Sequence, residues 1–276
     1  MPANHHPILV ATDLSARSDR AVDRAVFMAA KWDTRLIVLH AIEPGSRLDK
    51  HPELSDKAIR DVLPDPTADV EILPSVGPAP TLVTEAAKSA ECGLIVTGVA
   101  RYNTMGDFFT GTAVDHIVRH ADAPVLVVKQ RCHAPYRSIL VATDYSTCSR
   151  EALLKAAEMF PEATIQLVHA YHVPYEGWLR ADDNKQAATQ DAEKDLNAFL
   201  RDSAIPDAVR ERTRIRIGYG ETTRVVSDMA LEDDVDLVVI GTHGRTGLIQ
   251  ATIGSMAESL LECVQADTLM VREKKK

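Results

Sequence analysis

Residues Ile8-Leu9-Val10-Ala11-Thr12-Asp13 return letter for letter as Ile139-Leu140-Val141-Ala142-Thr143-Asp144, 131 positions later. Two further echoes follow. Leu36-Ile37-Val38-Leu39-His40-Ala41 resembles Ile165-Gln166-Leu167-Val168-His169-Ala170, and Leu94-Ile95-Val96-Thr97-Gly98 resembles Leu237-Val238-Val239-Ile240-Gly241, now 143 positions apart. The drift places about a dozen extra residues in the second copy, between its second and third apolar runs. A period this long marks duplicated domains rather than solenoid units, whose periods are about 20–50 residues. The runs are short, rich in Val, Ile and Leu, and little interrupted by polar residues, as suits strands buried on both faces. They predict strands at 7–12, 35–41, 69–74, 93–98 and 124–129, and again at 138–143, 164–170, 212–217, 236–241 and 268–272.

Helical spacing fills the intervals. Val83, Ala86, Ala87 and Ala90 share one face, as do Val114, Ile117, Val118 and Ala121; Met256, Leu260, Cys263 and Val264 predict a third. Strands alternating with helices imply parallel sheets covered on both faces, joined by right-handed crossovers. The fold class is therefore α/β, two tandem doubly wound parallel sheets. Ligands on such sheets lie at the carboxyl ends of the strands, near the point where strand order reverses. The polar stretch around Gln130 to Pro135 separates the copies, with domains at 1–131 and 132–276. It is short, so the domains are expected to pack together. Segments 44–67 and 174–190 read as partly helical excursions over the ligand face.

Composition narrows the function. The chain has 276 residues, 45% of them hydrophobic, a formal charge of -9 and a pI of about 5.6. That balance argues against a general nucleic-acid partner, which needs a basic face. Cys92, Cys132, Cys148 and Cys263 form no C-x-x-C pair, so neither zinc nor redox chemistry is signalled. Met1 to Pro7 has no apolar core of a secretory signal, and no apolar run reaches the roughly 18 residues of a membrane span. A cytoplasmic protein with reduced thiols is expected.

After the fourth strand of the second copy comes Gly241-Thr242-His243-Gly244-Arg245-Thr246-Gly247, then Gly254-Ser255 opening a helix. Glycines let backbone N–H groups approach an anion, and the helix start adds free donors and the positive end of its dipole. No Gly-Lys-[Ser/Thr] follows, so this is not a Walker loop, and no G-x-G-x-x-G follows the first strand. The frame Gly241, two residues, Gly244, nine residues, Gly254-Ser255 matches the G-2x-G-9x-G-[S/T] signature of ATP-binding universal stress proteins. The Ile-Leu-Val-Ala-Thr-Asp starts and the strands ending in His-Ala also resemble that family, over nearly the whole chain, twice.

The resemblance implies two Rossmann-like, five-stranded sheets of order 3-2-1-4-5, paired through their fifth strands as an intramolecular pseudo-dimer, with further assembly into a homodimer expected. It implies ATP, with or without Mg, in the second copy. Carried over residue by residue, Ala142, Thr143 and Asp144 meet the adenine side and Ala170 presents backbone to the base. Ile240 and Gly241 lie against the ribose. Gly244, Gly254 and Ser255 hold phosphates with Met256 following, and Thr242, His243 and Arg245 are loop contacts. Other readings stand beside these. Ser255-x-x-Glu258 is also a capping box, and Asp144 with Ser146 also forms a turn and cap. In the first copy the frame reads Gly98, two residues, Arg101, nine residues, Gly111-Thr112. Arg101 in place of glycine implies an altered site, unless its guanidinium pairs with phosphate.

No residue pattern supplies a dedicated catalytic base, a serine-nucleophile elbow or a metal set. His116 and His120 share a helical face but lack a third ligand in sequence. His40 and His169, at equivalent strand ends, predict a repeated structural role. A nucleotide-responsive regulatory protein of the stress response, a slow ATP hydrolase and a nucleotide-independent scaffold are the functions left open.

Overall fold

The structure, a computed structural model, describes residues 6–99, 112–171, 181–244 and 253–273. The first copy comprises β1 (Ile8–Thr12), α1 (Asp19–Trp32), β2 (Leu36–Ile42), α2 (Arg47–Lys50), α3 (Ser55–Arg60), β3 (Glu71–Val76), α4 (Ala79–Ser89), β4 (Leu94–Gly98), α5 (Thr112–His120) and β5 (Val125–Val128). The second comprises β6 (Ser138–Ala142), α6 (Thr147–Met159), β7 (Thr164–Tyr171), α7 (Ala181–Leu200), α8 (Asp207–Glu211), β8 (Thr213–Tyr219), α9 (Thr222–Glu232), β9 (Leu237–Gly241), α10 (Ser255–Cys263) and β10 (Asp267–Val271). Every predicted strand is present, within two residues at each end.

Each half has strand order 3-2-1-4-5 with parallel pairing, the Rossmann-like arrangement. The two halves are joined into one sheet of order β3-β2-β1-β4-β5-β10-β9-β6-β7-β8, ten strands across. The junction is antiparallel, with Thr268 opposite Val127, Leu269 opposite Leu126 and Met270 opposite Val125. Leu126 and Leu269 are equivalent residues of the two copies, 143 positions apart. The register is therefore symmetric about that pair, and a pseudo-twofold axis passes through it. Pairing the fifth strands leaves neither as an open edge inside the molecule.

The sheet is covered on both faces because alternate strand residues point to opposite sides. Ile8 and Val10 pack with Ala21, Val22 and Ala25 of α1 on one face, and Leu9 packs toward Val83 of α4 and Val114 of α5 on the other. Ile139 and Val141 against Leu140 repeat the split in the second copy. All six are fully buried, each contributing about 1.5–3 kcal/mol by leaving water.

Two expectations change. The apolar face of α10 is not Met256, Leu260, Cys263 and Val264: Ala257, Leu260, Leu261 and Val264 are buried, Met256 is 44% exposed and Cys263 is exposed. The buried stripe is centred on Ala257, Leu260, Leu261 and Val264, and Met256 and Cys263 lie beside it. The Ser255-x-x-Glu258 capping box is also absent. Gly254 is the N-cap, Ser255 is already the first helical residue, and no side chain caps the turn. In the first copy α5 likewise starts at Thr112 itself. The extra residues of the second copy lengthen the connection that holds α7 and α8, where the first copy has the shorter α2 and α3.

The linker is anchored. Asp267, fully buried at the start of β10, accepts hydrogen bonds from Lys129 N (2.7 Å), Gln130 N (2.8 Å) and the Tyr136 hydroxyl (2.5 Å). The Arg24 guanidinium lies 4.2 Å from the Tyr136 ring centroid, donates to Ala134 O and stands 3.7 Å from Asp267. No helix among the described residues is long and apolar enough to cross a membrane.

Candidate functional site

In both copies the turn after the first strand is built the same way. Thr12 Oγ1 accepts from Leu14 N (3.1 Å) and pairs with Ser18 Oγ (2.9 Å); Thr143 Oγ1 accepts from Tyr145 N (3.0 Å) and pairs with Ser149 Oγ (2.8 Å). Leu14 and Tyr145 take left-handed backbone, φ 59 and 65, which costs a non-glycine residue free energy and is held here by those threonines. His40 Nδ1 lies 2.9 Å from Thr12 O, and His169 Nδ1 2.8 Å from Thr143 O. The two histidines thus have the repeated structural role their positions predict. Asp144 Oδ1 accepts from Ser146 N (3.1 Å), and Ser146 caps α6 through Ser149 N. The turn-and-cap reading of that pair is therefore realised.

β6 and β9 are neighbours at the reversal of strand order, so their carboxyl ends form the crevice of the second copy. Asp144 stands on one side and Gly241 to Gly244 on the other. A Cβ on Gly244 would lie 2.7 Å from Asp144 Oδ2, so a side chain there would displace the carboxylate. Gly241 is explained differently: a Cβ would come within 3.0–3.1 Å of the Cys148 backbone and thiol, which makes this glycine a packing requirement of β9 against α6. Gly98 meets Arg17 O at 3.2 Å in the same way.

The other expected contacts sort by exposure. Ala142 ends β6 and Ala170 is the next-to-last residue of β7, both half-buried. Ile240 is buried in the core, so only its backbone faces the crevice. Thr242 is 1% exposed, with its amide donating to Val271 O (3.0 Å) and its hydroxyl 2.9 Å from His243 Nδ1. Gly254 N donates to Thr242 O (2.9 Å), closing the base of the loop. The expected loop contacts at Thr242 and Gly254 change accordingly, because their amides serve the protein itself. Among the described residues, the first turn of α10 offers N–H groups to a ligand. Ser255 and Met256 are exposed there, and the first helical N–H groups have no partner within a helix. Arg245 lies outside the described residues, as do Arg101 and Gly111 of the first copy.

Several neighbours of the site were not anticipated. The Tyr145 ring stacks on His169 at 4.2 Å, and its hydroxyl donates to Ala192 O of α7 (3.2 Å). Tyr171 meets Tyr219 edge-on at 5.4 Å and bonds Thr189 of α7 through its hydroxyl. The inserted helix therefore roofs an aromatic cluster at the ends of β6, β7 and β8. Near the start of α10, Arg119 of α5 grips Asp115 (2.9 Å and 2.8 Å) and reaches Glu258 (3.6 Å). Burial and then the charge of Asp115 raise the carboxyl pKa of Glu258, with Arg119 opposing.

A family model described as Universal stress protein family matches the chain twice, over residues 4–129 and 135–272. A universal stress protein of Mycolicibacterium smegmatis is 26% identical over 302 residues, covering 98% of this chain and 98% of its own. Universal stress protein A homolog 1 of Coxiella burnetii is 31% identical over 144 residues, 49% of this chain and 96% of its own. Among solved structures, a functionally unknown protein of Pseudomonas aeruginosa PAO1 superposes with a TM-score of 0.68 at 20% identity, over 98% of this chain and 93% of its own. A universal stress protein from Archaeoglobus fulgidus gives 0.63 at 15% identity, over 99% and 98%. At those identities the two structures speak for the shared tandem fold alone.

Proposed function

Because the chain belongs to the universal stress protein family, as a tandem of two such domains, we propose that its second copy binds ATP and that the protein acts as a nucleotide-responsive regulator. The observation that carries this reading is the pairing of Asp144 with a side-chain-free Gly244 across the crevice, beside the exposed start of α10. Asp144 and the backbone at Ala170 would meet the base, and the ribose would lie along the Ile240–Gly241 backbone. The phosphates would sit at Gly244, Ser255 and Met256, where the positive end of the α10 dipole favours negative charge. His243 would flank them. Mg, if present, would be held by the phosphates rather than by a protein cage.

Calorimetry with ATP on the wild type and on Gly244→Lys tests the proposal. Wild type is expected to bind, and the variant to lose binding because its side chain enters the space shared with Asp144. Two proteins that both give no heat and no binding would remove the nucleotide reading and leave a scaffold. At about 100 times Kd, ATP should add about 2.7 kcal/mol to stability, visible as a rise in Tm. Slow hydrolysis is the second reading. Asp144 or His243 could orient water, and turnover at saturating ATP indistinguishable from buffer would dismiss it.

A further inference from the structure

A charged side chain of the first copy reaches the start of α10 in the second. About the pseudo-twofold axis through Leu126 and Leu269, α5 and α10 are equivalent helices, and residues 143 apart correspond. Asp115 of α5 corresponds to Glu258 of α10, so each helix carries an acid one turn from its start. One turn further on, the correspondence breaks in sign: Arg119 stands on α5 where Glu262 stands on α10.

Arg119 crosses between the copies. Its Nη2 lies 2.8 Å from Asp115 Oδ2 and 3.6 Å from Glu258 Oε1, while its carbonyl accepts from Arg272 Nη1 of the second copy (2.5 Å). Glu258 is in the first turn of α10, three residues from Ser255 and on the same helical side. A carboxylate so placed opposes a polyphosphate at the helix start, and a guanidinium against it offsets that repulsion. The side chains of Arg119 and Glu258 are each about one-third exposed (31% and 35%), so the pair is neither fully screened nor locked in the core. Asp115, the equivalent acid of the first copy, is held by the same guanidinium at 2.8–2.9 Å, so Arg119 stands between the two acids.

We propose that Arg119, carried by the first copy, is an affinity-determining residue of the polyphosphate site in the second, where it offsets the charge of Glu258. The inference rests on the nucleotide reading of the second copy. It makes the tandem itself functional, since a second copy detached from the first lacks the guanidinium.

The test is calorimetric titration of the full chain with ATP and with AMP, at low and at high salt. Arg119→Gln should weaken ATP about twofold to fivefold at low salt, the size expected of one partly exposed charge pair, and AMP by much less. Arg119→Lys should restore most of the loss, and high salt should shrink the difference. Glu258→Gln should tighten ATP about twofold to threefold, a change opposite in sign to structural damage. It also keeps the test valid should Arg119→Gln fold poorly. Wild-type binding with Arg119→Gln unchanged, equal losses for ATP and AMP, or Glu258→Gln weakening ATP would each overturn the inference while leaving the nucleotide site in place. A wild type that binds neither nucleotide overturns both.

Discussion

Glycines that look alike in a signature do unlike work. Gly241 is hemmed by the backbone and thiol of Cys148 at 3.0–3.1 Å, whereas among the described residues a Cβ on Gly254 would meet Thr242 O at 3.5 Å, ordinary contact, on backbone with φ -65. Gly241→Ala should therefore cost about 1–3 kcal/mol by overpacking, and Gly254→Ala about 0.5–1 kcal/mol, from the poorer N-cap alone. Urea denaturation of the two variants decides it; equal midpoints would mean that α6 yields to the added methyl. Gly244 differs from both, because its neighbour is the Asp144 carboxylate rather than the core. A sequence frame records that these positions lack side chains, but only the neighbour in space says whether a helix or a ligand needs the room.

At the scale of elements, the residue after each fifth strand caps the last helix of the other copy. Lys129 Nζ donates to Leu261 O and Val264 O (both 2.6 Å), and Arg272, its equivalent, donates to Arg119 O. Positive charge at a helix C-terminus is favourable, yet burial pushes the Lys129 ammonium down to about 8. The folded state then holds fewer protons on this group than the unfolded chain between about pH 8 and 10.5. Its contribution to stability is present above that window and is lost as pH falls through 8. Wild type should gain stability relative to Lys129→Met as pH is raised from 7 to 9. Parallel denaturation midpoints for the two proteins across that range would contradict it. Strand and helix positions were legible because apolar periodicity is local. The face of α10 was misjudged because Met256 and Cys263 have apolar character yet lie beside the buried stripe rather than on it.

At the scale of the molecule, one buried carboxylate joins strand, linker and helix. Asp267 receives two linker amides and the Tyr136 hydroxyl, with Arg24 beside it. Asp267→Ala leaves those donors and the Arg24 charge unpaired and should cost about 3–5 kcal/mol. A drop in urea-derived stability of less than 1 kcal/mol would show that the linker finds other partners. The duplication, the order of strands and helices, and the place of a loop after the ninth strand followed from the sequence alone, because repeated letters and alternating apolar runs are properties of neighbouring residues. Which amides of that loop remain open, which charge reaches it from the other half, and how two five-stranded halves become one sheet were decided only by the tertiary structure. Thr242 with Val271, Arg119 with Glu258 and Lys129 with Asp267 are brought together by the antiparallel meeting of β5 and β10, or by parallel neighbours far apart in the chain. No periodicity of a linear sequence encodes contacts of that kind.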